Sequence, residues 1–248
     1  MPPICLSVVS HAQAGLVDQF LKDLADCGAA ARIDRLVLTS NLPESGIDPL
    51  GSLDFVHREN SSPRGFAANH NRAFELCEAR YFCVANPDIR LERDPFPDLL
   101  ACLEANPQAA LAAPAVVSPD GVSEDNARHF PTPWSLLRKA RGLDDGRYLE
   151  PMQGPTPVDW TAGMFLLIRA EAFRAIGGFD DKFHLYYEDV DLCARFWKAG
   201  WGVLLHPGVT IEHDAQRASR KNLRYMAWHA ASMARYFVKH IGRLPRAF

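Results

Sequence analysis

The sequence predicts an α/β protein: a mixed, mainly parallel sheet flanked by helices, followed by a basic amphipathic helix at the C-terminal end. Three observations carry this. Short apolar runs alternate with helical patterns through the first half, the mark of strand, helix, strand repetition with parallel neighbours. The 248 residues are 48% hydrophobic and 23% charged, ordinary values for a compact fold with a sizeable core. In the last third, Leu223, Met226, Ala227, Ala230, Met233, Ala234 and Phe237 recur at helical spacing.

The elements follow in order. Ile4 to Val9, Leu36 to Leu38, Asp54 to Val56 and Tyr81 to Ala85 read as strands, with helices at Leu16 to Leu24 and Ala67 to Leu76. Ala109 to Val117 is a further apolar run. Ser118 to Thr156 is rich in Pro, Gly and charge, with one helical hint at Trp134 to Ala140; so long a connection in a compact domain is functional or mobile. Val158 to Ile168 reads as one buried strand and Glu171 to Ile176 as a short helix. A helix starts at Glu188, because Leu192, Phe196 and Ala199 recur at helical intervals and Gly200 supplies the stop. Gly202 to Leu205 and Val209 to His213 read as two short strands, and Ser219 to His240 as the amphipathic helix. The division expected is a main domain over residues 1–215 and a basic helical extension over 216–248.

A net charge of −3 provides no general field for nucleic acid, so no nucleic-acid partner is expected. The charge is uneven, however. After Asp214 there is no acidic residue, while Arg217, Arg220, Lys221, Arg224, Arg235, Lys239, Arg243 and Arg246 all follow. Two readings stay open for this segment: a helix packed on the domain, or contact with an anionic membrane surface. The six cysteines are scattered without a CxxC pair, which predicts free thiols and a reducing compartment. No apolar run approaches a membrane span and the N-terminus lacks a signal-peptide pattern, so a cytoplasmic location is expected, peripheral to the membrane if the basic segment binds it.

In a parallel sheet, ligands bind beyond the carboxyl ends of the strands. That directs attention to Ser10-His11, Thr39-Ser40-Asn41 and Asn86-Pro87-Asp88. Asp88 closes a strand through a rigid proline turn, where a carboxylate can hold a divalent cation against a diphosphate; Asn-Pro-Asp is also a common turn. Farther on, Glu188, Asp189 and Asp191 occupy the first turn of a helix, where its dipole favours acids. Asp191 has Arg195 four residues later and is read as a structural ion pair. Asp189 is rotated by roughly 200° from Asp191 about the axis and is left to face a site.

Four segments, in this order, resemble the family 2 glycosyltransferases, in particular their rhamnosyltransferase-like branch with a GT-A fold: Arg64 to Asn71 (RGFAANHN), Asn86-Pro87-Asp88, Trp160 to Phe165 (WTAGMF), and Gly177 to Trp201. The resemblance covers roughly positions 4 to 213, and the last segment is the specific one. It implies that Asp88 ligates Mg2+ or Mn2+ bound to the donor diphosphate, that His213 joins the metal, and that Asp189 is the general base. For His213 a purely structural role is the alternative, and His206 is its nearest rival. Ser10, His11, Asn41, Arg64, Asn71 and Asn86 are the expected nucleotide-sugar contacts, and Trp160, Gly163 and Glu188 the expected sugar or acceptor contacts. In one respect the chain departs from the pattern. The family's turn after the second strand carries an Asp that holds base and ribose, and Leu38-Thr39-Ser40-Asn41 has none.

The implied function is metal-dependent inverting transfer of a sugar from a nucleotide donor, dTDP-rhamnose for this branch, to a glycan or lipid-linked acceptor in surface polysaccharide synthesis. Two alternatives are a sugar nucleotidyltransferase and a nucleotide- or glycan-binding protein without catalysis. The first calls for a Gly-rich, Lys-containing loop after the first strand, and His11 to Gly15 has one Gly and no Lys.

Overall fold

The computed structural model describes residues 3–48, 51, 53–124, 126–143, 146–148, 152–213 and 223–243. The chain begins with strand β1 (Ile4–Ser10), helix α1 (Ala14–Asp26), a short 3-10 helix at Ala29–Arg32, β2 (Ile33–Ser40) and β3 (Asp54–Glu59). Helix α2 (Phe66–Phe74), β4 (Tyr81–Ala85), β5 (Ile89–Arg90), α3 (Phe96–Ala105) and β6 (Ala109–Val117) follow. Four short strands come next, β7 (Ser123–Glu124), β8 (Ala127–Arg128), β9 (Thr156–Pro157) and β10 (Trp160–Thr161), with α4 (Pro133–Ala140) after β8. The last elements are β11 (Phe165–Arg169), α5 (Ala170–Ala175), α6 (Glu188–Lys198), β12 (Gly202–His213) and α7 (Leu223–His240).

The main sheet runs β3-β2-β1-β4-β11-β6-β12-β5, with β7 and β9 at its margins. β1, β2, β3 and β4 are mutually parallel, β12 is parallel to β6, and β11 is inserted antiparallel between β4 and β6. Alternation along β1 sends Ile4, Leu6 and Val8 to one face, under α1 and α3, and Cys5 to the other, under α2, α5 and α6. Both faces are therefore dry. All six cysteines are free thiols, and all but Cys27 are buried.

Two expectations are corrected, and one helix is added. Val158 to Ile168 is not one strand: β10 pairs with β8 in a separate two-stranded sheet, and the chain turns at Gly163 before β11. The two strands expected between Gly202 and His213 are one, β12, whose register slips between His206 and Thr210 as a bulge absorbs Pro207 and Gly208. Helix α3 had no counterpart in the sequence reading, because its buried Phe96, Leu99, Cys102 and Leu103 sit between two strands of similar apolar content.

Helix α7 forms, but with a different face inward. Ser232, Tyr236 and His240 are its buried residues, whereas Met226, Ala227, Ala230 and Ala234 of the expected apolar stripe face solvent. Polar contacts decide this. Ser232 donates to the Leu185 carbonyl, and Lys239 and His240 reach the buried Asp191 at 2.8 and 2.9 Å. The expected helix start at Ser219 and the cations Arg217, Arg220, Lys221 and Arg246 lie outside the described residues.

Candidate functional site

Strand pairing at the sheet edge assembles the first centre. β5 lies antiparallel to the end of β12, with Ile89 opposite His213, so Asp88 is carried to the imidazole. β7 folds back on β6, itself paired with β12, and delivers Glu124 from the other side. His213 Nε2 is 3.3 Å from Asp88 Oδ2, and Nδ1 is 2.8 Å from Glu124 Oε2. Burial works against a charged ring, yet hydrogen bonds to Asp88 and Glu124 outweigh it and push the His213 pKa up to about 9. Asp88 Oδ1 is buried without a hydrogen-bond partner. Among the described residues no cluster of three or more metal-ligating side chains exists. His206, the rival candidate, sits opposite Pro114, away from this centre.

The second centre is the start of α6. Asp191 is fully buried and Arg195 meets it at 2.7 Å, as the spacing predicted. Burial opposes its charge, but His240, Arg195 and Lys239 hold its pKa down at about 2. Asp189 points elsewhere. Its Oδ2 accepts the Gly163 N–H at 3.0 Å and its Oδ1 the Val190 N–H at 2.8 Å. It lines a cleft of about 410 Å³ together with Glu188, Trp160, Tyr186, Tyr187 and Arg128.

Glu188 and Asp189 titrate as neighbours, and their surroundings separate them. Burial and the adjacent Asp189 charge push the Glu188 carboxyl well above its ordinary range, and its Oε2 is buried with no partner. Burial also raises Asp189, but the Val190 and Gly163 N–H groups oppose that. The surroundings thus oppose a charge on Glu188 more than on Asp189, whose oxygens accept two backbone N–H groups. The approach to this turn is strained: Tyr186 and Tyr187 adopt φ of 68° and 65°, costly for bulky residues. His229 of α7 packs against both rings and Tyr236 against Tyr187, which holds the strained pair in place.

The two centres are joined by backbone. Asn86 N–H donates to the Met164 carbonyl, and Gly163, one residue earlier, holds Asp189. Asp88 and His213 are nevertheless outside the lining of the Asp189 cleft.

The remaining candidates divide. Trp160 lines the cleft with its indole N–H donated to the His129 carbonyl. Asn71 is taken up by the fold: its amide donates to the Phe179 carbonyl and accepts the Phe179 N–H, fastening α2 to the Gly177-Gly178 turn. One N–H and one lone pair of the Asn71 amide are engaged in this way. Asn41 is buried and spent, bonding both the N–H and the carbonyl of Arg64 and accepting from Asn60; it shapes the loop and leaves the Arg64 side chain exposed. His11 is exposed beside Asn41, and Asn86 is half-buried. Ser10 donates to Glu44 Oε2, which also accepts the Gln13 N–H, and Glu44 Oε1 is buried without a partner. The sequence reading missed Glu44 and Glu124. Glu44 is an isolated acid in a loop and Glu124 lies on a two-residue strand, and neither has a local pattern that marks it.

The chain is similar to known glycosyltransferases. A family model described as the N-terminal domain of galactosyltransferase matches residues 147–218. The chain is 33% identical over 164 residues to the N-acetylglucosaminyl-diphospho-decaprenol L-rhamnosyltransferase of Mycobacterium tuberculosis, covering 60% of this chain and 52% of that protein. It thus spans about half the length of that relative. It is 25% identical over 249 residues to the rhamnosyltransferase WbbL of Escherichia coli, covering 95% of this chain and 93% of WbbL. Among solved structures, the mannosyltransferase PcManGT of Pyrobaculum calidifontis, in complex with GDP-Man and Mn2+, superposes with a TM-score of 0.66 at 16% identity, over 97% of this chain and 64% of that one. That likeness shows a common fold.

Proposed function

We propose, for a chain that is a family 2, rhamnosyltransferase-like glycosyltransferase of the GT-A fold, that it transfers rhamnose from a nucleotide donor, dTDP-rhamnose, to a lipid-linked glycan acceptor with inversion. The observation that carries the reading is the placement of Asp189: a carboxylate at the wall of a cleft, fixed by two N–H donors, beside Glu188.

An acceptor hydroxyl set against Asp189 gives up its proton to the carboxylate as its oxygen bonds to the anomeric carbon. The bond from that carbon to the donor diphosphate breaks at the opposite face, and the electron pair leaves with the nucleoside diphosphate. Burial raises the affinity of Asp189 for the incoming proton, and the Gly163 and Val190 N–H groups act in the opposite direction. Trp160, Tyr186 and Tyr187 supply apolar faces for a sugar ring and exclude water.

Asp88 and His213 suit a divalent ion, Mn2+ or Mg2+, because one Asp88 oxygen is buried and unpartnered while Glu124 fixes the orientation of the imidazole. Two ligands leave positions for phosphate oxygens and water. When bound, such an ion offsets the charge that grows on the leaving diphosphate. Ser10 and Glu44 belong in this reading to the nucleoside end of the donor, Glu44 supplying the carboxylate that the turn after β2 lacks.

The test is transfer from a panel of nucleotide sugars to a diphospho-lipid acceptor, with the product's anomeric configuration read by NMR. Retention of configuration, or full activity in Asp189→Asn, removes the reading.

A further inference from the structure

Of the seven large apolar side chains most exposed among the described residues, six fall in two segments: Trp134, Leu137 and Leu143 in or just after α4, and Met226, Val238 and Ile241 in or just after α7. Val238 and Ile241 are 76% and 80% exposed. Both segments border one cleft. Ser135, Leu136 and Lys139 line it from α4, and His229 and Met233 from α7, in company with Asp189.

On α7 the apolar band is continuous. At about 100° per residue, Met226, Ala230, Ala234 and Val238 share one side, away from the buried Ser232, Tyr236 and His240, and Ile241 just beyond the helix extends it. Exposed Arg224 and Arg235 border that band, and Arg243 ends it. On α4, Arg138 and Lys139 follow the exposed Trp134 and Leu137, and Arg141 comes after them. Neither segment contains an acid: there is none in 131–143 and none in 215–248. Apolar side chains interleaved with cations alone match the chemistry of an anionic lipid surface, where the apolar groups enter the acyl boundary and the cations meet phosphates. A second copy would set cations against cations, which disfavours self-association through this face.

We propose that α4 and α7 form one docking face for an anionic membrane surface, and that this face brings the Asp189 cleft to the lipid interface. The role assigned to the cleft rests on the transferase reading above; the docking itself does not.

The experiment is flotation of the full chain with vesicles of phosphatidylcholine alone, or of phosphatidylcholine with phosphatidylglycerol. The parent is expected to float with the anionic vesicles only. Val238→Glu with Ile241→Glu, and separately Trp134→Glu with Leu137→Glu, should each lower the bound fraction by about tenfold or more. Melting temperature and transfer to a short-tailed, water-soluble acceptor should stay at parent values, since none of these residues lines the cleft. A parent that ignores anionic vesicles, or variants that float as well as it does, overturns the proposal. So does a parent dimer that Val238→Glu with Ile241→Glu turns into a monomer, with no vesicle binding by either. Vesicle binding lost as described in a chain that is inactive toward every donor supports the docking face and removes the transferase reading alone.

Discussion

The backbone N–H of Gly163 donates to Asp189 Oδ2 at 3.0 Å, so the turn between β10 and β11 positions the carboxylate at the start of α6. The contact spans two elements that are distant in sequence. It opposes the upward push that burial exerts on the Asp189 carboxyl.

Asp189→Asn keeps size and removes the proton acceptor, so kcat should fall by about 10²- to 10⁴-fold with the melting temperature nearly unchanged. Glu188→Gln keeps size and leaves the Asp189 carboxylate in place, so it should cost far less. Because burial raises Asp189, the acidic limb of the rate profile should lie above the ordinary Asp range, with activity lost as pH falls through it. Steady-state kinetics against pH checks all three points.

Asp88→Ala and His213→Ala should each abolish Mn2+-supported binding of nucleoside diphosphate, read by calorimetry with and without the ion. Glu124→Gln should weaken it by about 10- to 100-fold, because Glu124 orients the His213 ring without touching the ion.

Asp191→Asn should lower stability by about 2 kcal/mol at neutral pH, from a pKa of about 2 in the fold against an ordinary value of 3.8. The sign follows from the depressed value. The stabilisation is fully present above about pH 4 and is lost as pH falls through about 2, so denaturant midpoints of parent and variant should converge in acid.

Gly65→Ala should destabilise by about 1 to 3 kcal/mol. A Cβ there meets the His184 backbone, with the His184 Cα 2.8 Å away, and the Phe66 N–H bond to the His184 carbonyl must give. Thermal melts measure the loss, and Gly15→Ala, where a Cβ meets nothing, is the control.

Glu44→Gln should raise KM for the donor with little change in kcat, since the proposed reading gives Glu44 to the nucleoside end and it lies outside the lining of the Asp189 cleft.

Much of the fold was legible because its signals are local. Alternation in β1, the apolar run of β4 and the helical spacing after Glu188 each report a short element through its own residues. The Asp191 to Arg195 pair was legible for the same reason, both partners lying on one helix face. Periodicity failed at Gly163, where an apolar run hides a turn, and on α7, where two stripes compete and polar anchoring to Asp191 and Leu185 selects the less apolar one.

By itself the sequence determined the α/β class, the acidic start of α6, the turn that ends in Asp88 and the resemblance that pointed to His213. Only the tertiary structure decided that Glu124 stands behind His213, that Asn71 and Asn41 serve the fold, that Gly163 holds Asp189, and that α7 turns its apolar band outward. The physical reason is distance along the chain. Helical and strand periods encode contacts a few residues apart, whereas His213 and Glu124, 89 residues apart, meet only because β6, β7 and β12 pair at one sheet edge.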